Sequence, residues 1–404
     1  MNPRMKRLTV KRFRSIPGEV VEFANPTFLV GQNGSGKSNL VDVYAFLAEA
    51  MSSPLQAVFD RRGGISVVRN RMSSGQSYPP NLGIGVVLES LNGDVLRARY
   101  AFEVAALKNY GFEIVREQCI IQKRDGTSDW FDRDKKGKPS FRTSQANPAP
   151  NLEANALALP IVGGDTRFSV VHRFLSAMRV YSIEPSKLRE MQDPDSGTRL
   201  RSDGGNAASV LREIERQSPD AWQRVCELLE TVVPKTTKVR AKKHGNKLSL
   251  EFTQQWSPKK KTTFESFSMS DGTLRTLGLL TAVYQLPAPT ILVIEEPEAT
   301  IHPGALGAVL DLLHDASRRM QVIVTTHSPE LLDAKWIQDD NLRIVSWSEG
   351  ATRVSEVSES TREVLRSHLM GAGELLRSNV LTPREDLVVD ADPRQPPLFE
   401  ELPG

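Results

Sequence analysis

Residues 27–51 read TFLVGQNGSGKSNLVDVYAFLAEAM, which joins an apolar run, a glycine-rich turn and a helical pattern. The apolar run predicts a strand that ends at Gly31, and the apolar spacing after Ser38 predicts an α-helix. The turn between them matches G-x-x-x-x-G-K-[ST] at every position, in the strand-to-helix context that this pattern requires. The stretch therefore predicts an α/β fold with a phosphate-binding loop at the end of a strand.

The glycine-rich turn contains the predicted triphosphate-binding residues. Its glycines let consecutive backbone N–H groups face an anion, and the start of the following helix adds partial positive charge. The pattern assigns Lys37 to the β and γ phosphate oxygens and Ser38 to a magnesium ion. We therefore expect ATP and Mg²⁺ to bind here, with the nucleotide contacted by Gly31, Gln32, Asn33, Gly34, Ser35, Gly36, Lys37, Ser38 and Asn39.

A second apolar strand, 291–294, ends in two adjacent carboxylates, Glu295 and Glu296. Ligands collect at the carboxyl ends of strands in open parallel sheets. Glu295 is the predicted metal residue, acting directly or through water, and Glu296 is the predicted acid that orients and polarises the attacking water. Adjacent acids at a strand end are often only a solvated rim, but the glycine-rich loop earlier in the chain favours the chemical role.

Two further segments complete the predicted site. Strand 322–325 leads to His327, whose imidazole could hydrogen-bond a γ-phosphate or the attacking water. Ser270 and Gly272 precede a predicted helix, and the N–H groups at a helix start form an anion site. One polypeptide cannot easily bring that second anion site onto its own phosphate loop, so the pattern points to a second copy of the chain.

Together these motifs resemble the RecF/SMC-type branch of ABC ATPases, especially the bacterial AAA-family ATPases related to RecF and to the overcoming-lysogenization-defect nucleases. The segments that carry the resemblance are 11–16 (KRFRSI), 31–38, 268–272 (SMSDG), 295–303 (EEPEATIHP) and 325–330 (TTHSPE). The resemblance implies a P-loop NTPase of ABC type, with a mixed sheet and helices, an antiparallel β subdomain and a helical insertion lobe.

Residue roles follow from the same resemblance. It implies that Glu296 is the catalytic glutamate and that residues 298–302 form a D-loop at a dimer seam. It also implies that Ser270 and Gly272 of one copy contact the γ-phosphate bound by the other, although Met269 and Asp271 depart from the usual signature. The glutamine of a Q-loop could be Gln76 or Gln118.

Pattern changes along the chain predict four regions. Residues 1–130 form an N-terminal ATPase lobe with the phosphate loop and the antiparallel sheet, and residues 131–261 form an insertion with a helical lobe and a basic hairpin. Residues 262–348 form a C-terminal ATPase lobe, and residues 349–404 form an extension with an acidic tail. No room remains after His327 for an appended nuclease domain of the kind found in the overcoming-lysogenization-defect proteins.

Composition narrows the functional classes. The 404 residues contain 39% hydrophobic and 25% charged residues, so we expect a globular chain with a large core. No apolar stretch is long enough to span a membrane or serve as an export signal. The two cysteines lack a metal-ligand spacing, so we expect neither a zinc site nor a disulfide framework, and a cytoplasmic location.

The net charge of +3 is unevenly spread. The basic segment, residues 235–261, has nine Lys and Arg against one acid, and could contact duplex DNA or be a solvated hairpin face. Two functions stay open. The first is an ATPase whose ATP-dependent homodimer gates DNA engagement in repair or antiviral defence. The second is an ATP-dependent sensor or scaffold for a separately encoded effector, without direct DNA binding.

Overall fold

The computed structural model describes residues 3–70, 81–92, 94–108, 111–135, 140–145, 150–257, 259–384 and 397–403. The chain folds into two compact units. Unit 1 consists of Met1–Met178, Gln338–Ser367 and Leu381–Gly404, and unit 2 consists of Arg179–Ile337 and His368–Val380. The four-region division expected from the sequence stays a prediction.

The strands in chain order are β1 (Arg4–Phe13), β2 (Ile16–Glu22), β3 (Thr27–Val30), β4 (Leu82–Asn92), β5 (Val95–Ala106), β6 (Phe112–Lys123), β7 (Ser128–Asp134), β8 (Ser140–Thr143), β9 (Arg179–Tyr181), β10 (Thr236–His244), β11 (Lys247–Ser257), β12 (Lys260–Glu265), β13 (Ile291–Glu295), β14 (Gln321–Thr326), β15 (Leu342–Ser348) and β16 (Ala351–Ser355).

The helices in chain order are α1 (Lys37–Ala50), α2 (Leu55–Asp60), α3 (Ile65–Val68), α4 (Leu159–Val162), α5 (Ser169–Ser176), α6 (Pro185–Arg189), α7 (Ala207–Gln217), α8 (Pro219–Val232), α9 (Asp271–Tyr284), α10 (Pro303–Ser317), α11 (Glu359–Arg366) and α12 (Ala372–Arg377). Short 3₁₀ turns span Ser266–Ser268, Pro329–Leu332 and Asp339–Asn341.

Unit 1 contains a 7-stranded antiparallel sheet in the order β2-β1-β4-β5-β6-β7-β8. The antiparallel subdomain expected from the sequence is therefore confirmed. Helix α1 contributes Phe46 to an aromatic core, where its ring lies 5.5 Å from Phe13 and 5.2 Å from Phe59. This core supports the side of the helix opposite to solvent, and so fixes the direction of the helix that follows the glycine-rich loop.

Unit 1 also contains the strand that precedes the glycine-rich loop. β3 is buried along its whole length and pairs in parallel with β15, with Phe28 opposite Leu342. The sequence predicted β15 as a final strand, and this was wrong because β16 returns antiparallel to it. Glu349 and Gly350, both at positive φ (50° and 75°), form the tight turn between them.

Unit 2 contains three parallel strands in the order β14-β13-β9, with Ile291 opposite Gln321 and Leu292 opposite Arg179. Parallel strands are buried on both faces and read as continuous apolar runs, which describes β13 and β14. The parallel strand–helix–strand arrangement expected between 290 and 325 is confirmed. The sequence of residues 167–179 predicts one helix, but α5 stops at Ser176 and Arg179 begins β9.

Unit 2 also contains α7, α8 and the antiparallel sheet β10-β11-β12. The hairpin predicted at residues 244–246 is confirmed. Because asparagine is a favoured helix cap, the sequence predicts that Asn206 caps α7. Instead, its Oδ1 accepts from the Arg201 N–H at 2.8 Å and its amide donates to Asp195 at 2.8 Å. Its side chain therefore closes the loop before the helix.

Two short elements lie where the glycine-, proline- and serine-containing sequence predicts only loop. They are α3 in the stretch 61–80 and β8 in the stretch 135–152. Both are four residues long, which is too short to establish a period in the sequence. Both thiols, Cys119 and Cys226, are unbridged and buried, and burial raises the pKa of each.

Across the described ranges, no helix combines the length and the apolarity that crossing a membrane would require.

Candidate functional site

The glycine-rich loop of unit 1 can be built only with glycine at its key positions. Gly34 and Gly36 have φ of 80° and 98°, a region that side chains with a Cβ rarely adopt. A Cβ on Gly36 would lie 1.8 Å from the Thr352 hydroxyl, and one on Gly31 would lie 2.1 Å from the main-chain oxygen of Val345. The loop is therefore pressed against β15 and β16, which fixes its curvature.

Lys37 and Ser38 occupy the first turn of α1. Lys37 is only 5% exposed, and its Nζ donates to the main-chain oxygens of Gly31 (2.7 Å) and Gln32 (3.0 Å). Ser38 is exposed, and the residue before α1 is Gly36, which has no side chain to cap the helix. A cation folded over a glycine loop, an exposed hydroxyl and a helix that starts directly after a glycine fit a magnesium-bound triphosphate.

Asn39 links the start of α1 to the segment that precedes the glycine-rich loop. Its amide donates to Ser15 Oγ at 2.6 Å, and that hydroxyl also lies 2.6 Å from Thr352 Oγ1. The neighbouring Arg14 donates to Asp42 of α1, also at 2.6 Å. The segment 11–16, noted in the sequence for its likeness to a family motif, thus ties α1 to the turn between β1 and β2.

In unit 2 the structure brings Glu296 and His327 together. Strand β13 delivers Glu295 at its last position, and Glu296 follows with φ 43°. The Glu296 N–H donates to the main-chain oxygen and the hydroxyl of Thr325, each at 3.1 Å. His327 Nδ1 then lies 3.3 Å from Glu296 Oε1, where a ring N–H can donate to the carboxylate. The side chains of His327 and Glu296 are partly exposed, at 42% and 35%.

Glu298 is a buried carboxylate beside this pair. Its Oε1 accepts from the Thr326 hydroxyl at 2.6 Å and lies 3.9 Å from His327 Nδ1. Burial raises the pKa of Glu298, and the hydrogen bond from Thr326 opposes that rise. Its Oε2 is buried without a hydrogen-bond partner among the described residues.

Ser270 and Gly272 lie at the start of α9. The Ser270 hydroxyl accepts from the Thr273 N–H at 3.2 Å and so caps the helix. A Cβ on Gly272 would lie 2.8 Å from the main-chain oxygen of Thr300, so this glycine lets the helix start pack against the 298–302 segment. Arg189 holds the same region by donating to the Met269 oxygen at 3.1 Å and to the Asp271 carboxylate.

Sequence reasoning missed Arg275. It is 8% exposed, and its Nη2 donates to the main-chain oxygen of Glu296 at 2.7 Å. Burial lowers the pKa of Arg275, while the charges of Glu298 and Glu296 raise it. A signal was present, because Arg275 is the one charged residue in the apolar remainder of α9 after Asp271.

The basic segment is more extensively ion-paired than its residue count suggests. Three of its cations contact carboxylates, and the pairs are Lys242 with Glu251 and Glu265, Arg240 with Glu215, and Lys247 with Asp193. Three of these four acids lie outside residues 235–261, so the sequence count omitted them. Lys243, Lys260 and Lys261 are exposed.

The remaining sequence candidates fall elsewhere. Gln118 is 2% exposed and donates to Asp132 at 3.2 Å and to the main-chain oxygen of Glu400 at 3.1 Å. Gln76, and the part of the acidic tail at 385–396 that includes the sequence Asp390-Ala391-Asp392, lie outside the described residues. The predicted site residues divide between the units, with 31–39 in unit 1 and the others in unit 2.

Comparison with known proteins agrees with this architecture. A family model described as "AAA domain, putative AbiEii toxin, Type IV TA system" matches residues 27–333. One similar solved structure is an Smc head bound to the C-winged helix domain of ScpA, with TM-score 0.52, 17% identity, and coverage of 88% of this chain and 98% of that one. A second is an Smc head with an extended coiled coil bound to the C-terminal domain of ScpA, derived from Pyrococcus furiosus.

The second structure has TM-score 0.50 and 14% identity, and the match covers 91% of this chain and 100% of that one. No curated protein matches the sequence at a significant level. These likenesses establish the fold expected from the sequence, a P-loop ATPase head of mixed α/β architecture.

Proposed function

This chain belongs to the AbiEii-type AAA domain family and is an ATPase of the SMC-head type, and we propose that it hydrolyses ATP as a nucleotide-dependent homodimer that gates DNA engagement. DNA repair or defence against phage is the proposed setting. The observation that supports hydrolysis most directly is the 3.3 Å contact between Glu296 and His327 at the ends of neighbouring parallel strands.

On the nucleotide side, the main-chain N–H groups of the loop and of the first turn of α1 bind phosphate oxygens. Lys37 moves its Nζ from the oxygens of Gly31 and Gln32 to the β and γ phosphates, exchanging neutral acceptors for charged ones. Ser38 and Glu295 are the groups proposed to hold Mg²⁺, which when bound supplies charge neutralisation to the phosphates.

On the hydrolytic side, Glu296 orients the attacking water and accepts its proton. His327 donates its Nδ1–H to Glu296, which fixes the carboxylate rotamer. Arg275 holds the same turn by donating to the main-chain oxygen of Glu296. Hydrogen bonds to both the backbone and the side chain of Glu296 thus restrict the position of the base before substrate binds.

The start of α9 is the surface through which we propose that two copies of the chain dimerise. Ser270 and Gly272 present main-chain N–H groups at the positive end of a 14-residue helix, which suits a γ-phosphate bound by a second copy. Gly272 packs against Thr300, so the proposed D-loop and the signature lie in one surface of unit 2.

The ion pairs of the basic segment favour a second candidate function. Lys242 contacts Glu251 and Glu265, so less of the segment's charge is available to phosphates than its count implies. An ATP-held homodimer that scaffolds a separately encoded effector, without direct DNA binding, accommodates this pairing.

Sizing Glu296→Gln by light scattering tests the dimer and hydrolysis. We expect this variant to bind ATP, lose turnover and accumulate as a dimer with ATP, whereas Glu330→Gln, on an exposed turn, should behave like the parent. Hydrolysis at the parental rate would reject Glu296 as the base. A strictly monomeric ATP-bound variant at high concentration would reject the dimer.

A DNA titration distinguishes the two functions. If DNA is the partner, duplex DNA should stimulate hydrolysis, and neutralising Lys243, Lys260 and Lys261 should lower the slope of log affinity against log salt by about 0.9 for each phosphate that the variant no longer neutralises. Lys242→Gln, which removes a cation already paired with two acids, should have a smaller effect. Indifference to DNA, with ATP-dependent capture of an effector, would favour the scaffold.

A further inference from the structure

The last described residues, 397–403, lie across β4, β5 and β6 of the unit 1 sheet. Leu398 is 4% exposed and fills a notch over two glycines of β4. A Cβ on Gly83 would lie 2.2 Å from Leu398 Cδ1, and one on Gly85 would lie 3.4 Å from Leu398 Cδ2. Ala101 of β5, paired with Gly85, keeps the notch wide. Because these residues have little or no side chain, they leave space for the Leu398 side chain of the tail.

Two buried polar side chains bind the main chain of the tail. Arg99 is 8% exposed and donates to the oxygens of Pro397 at 3.3 Å and Leu398 at 3.0 Å. Gln118 donates its amide to the Glu400 oxygen and accepts from the Glu400 N–H, both at 3.1 Å. This two-way exchange satisfies both backbone groups of one residue, as a neighbouring strand would.

Side-chain contacts give the surface its selectivity. The Arg116 guanidinium lies 4.5 Å from the centre of the Phe399 ring, and Arg99 forms an ion pair with the Glu400 carboxylate. The surface therefore favours a leucine through the shape of the notch, an aromatic ring through the cation–π contact and an acid through charge.

The sheet face is built for an occupant. With the tail docked, burial and the nearby charges of Arg7 and Arg97 lower the pKa of Arg99 to about 10, and two main-chain oxygens of the tail accept its hydrogen bonds. A buried donor that has no acceptor destabilises the fold. Twelve residues, 385–396, separate the docked segment from Arg384 in the sequence.

We propose that the β4–β6 face is a peptide-docking site selective for a Leu-Phe-Glu segment, and that residues 397–403 are its resident occupant, which a segment of the same chemistry supplied in trans can replace. The site lies on the sheet outside the nucleotide loop, and the proposal does not depend on ATP hydrolysis. A partner that carried such a segment would compete with the tail for the same groups.

Fluorescence anisotropy with a labelled peptide PLFEELP and the full chain tests this site. The attached tail has an effective concentration near the millimolar range, so it should suppress peptide binding to the parent. Full-length Leu398→Asp, whose tail cannot fill the notch, should bind the peptide about tenfold more tightly than the parent. A scrambled peptide, and Leu398→Asp combined with Gln118→Ala, should bind at least about tenfold more weakly than the matched pair.

Equal affinity of the peptide for the parent and for Leu398→Asp would overturn the proposal, as would equal binding of the scrambled peptide. Phe399→Ala gives a second route if Leu398→Asp does not fold, because this ring is partly exposed and its removal loses the contact with Arg116. Hydrogen exchange in the unmodified chain provides an independent readout. Excess peptide should leave the Gln118 strand protected while the Glu400 N–H of the displaced tail exchanges faster, and an unchanged Glu400 rate would contradict exchangeable docking.

Discussion

The guanidinium of Arg275 donates to the main-chain oxygen of Glu296 at 2.7 Å, and this contact joins helix α9 to the turn that carries the proposed base. The same side chain donates to the Ile183 oxygen at 2.9 Å, so it is anchored on both sides. Glu296 has φ 43°, which costs free energy for a residue with a Cβ. The hydrogen bond from Arg275 stabilises that conformation.

Arg275→Met should therefore affect the rate of ATP hydrolysis much more than ATP binding. We expect kcat to fall at least about tenfold, because the turn that orients Glu296 loses its support, with ATP affinity changed by less than about threefold. Arg275→Lys should restore part of kcat, and Arg318→Met, at an exposed site of unit 2, should match the parent. A parallel loss of kcat and of affinity, or no change in kcat, would argue against a positioning role.

Lys37→Ala should weaken ATP binding by at least about 2 kcal/mol, because it removes a charge-assisted contact to the phosphates. Isothermal titration calorimetry with ATP and Mg²⁺ measures the loss. Lys6→Ala is the matched control, since its Nζ lies on β1 and faces Glu22 at 3.8 Å. Parental affinity in Lys37→Ala would contradict the phosphate role.

Ser270→Arg should abolish ATP-dependent dimers while the separate chain still binds ATP. The arginine blocks the anion site at the start of α9 and also removes the cap on the Thr273 N–H, which costs about 1 kcal/mol of stability. Ser270→Asp keeps a capping oxygen but places a negative charge where a phosphate would bind, so it should fold like the parent and still fail to dimerise. Dimers of parental stability in both variants would dismiss the role in trans.

Glu19 should make unfolding pH-dependent. Burial raises its pKa from 4.5 to about 7, while the Val354 N–H (3.2 Å) and Arg353 (3.3 Å) oppose the rise. Between about pH 4.5 and 7 the folded chain keeps a proton that the unfolded chain releases, so this contribution to stability is lost as the pH increases.

Glu19→Gln should then match the parent near pH 4 and exceed its free energy of unfolding at pH 8 by about 1–3 kcal/mol. Urea unfolding at both pH values measures the difference. Glu22→Gln, half-exposed on the same strand, should show no such divergence. A pH-independent difference between Glu19→Gln and the parent would contradict the assigned pKa.

The elements that could be predicted from the sequence are those that depend on residues close together in the chain. Strand β3, the glycine-rich loop and α1 are contiguous, and apolar runs that end in acids or histidine mark β13 and β14. Contacts between residues far apart in the sequence could not be predicted. Gln118 meets a residue 282 positions away, and Lys242 is paired by Glu265 from outside the segment whose charge was counted.

Buried cysteines give the molecule a practical property. Cys119 and Cys226 are the two sulfhydryls of the chain, and each is enclosed in its unit with a raised pKa, so neither forms an accessible thiolate near neutral pH. A cysteine introduced at the exposed Glu401 would accept a maleimide dye selectively, with no need to mutate the native thiols. The position of the C-terminus could then be followed by spectroscopy in an otherwise unaltered protein.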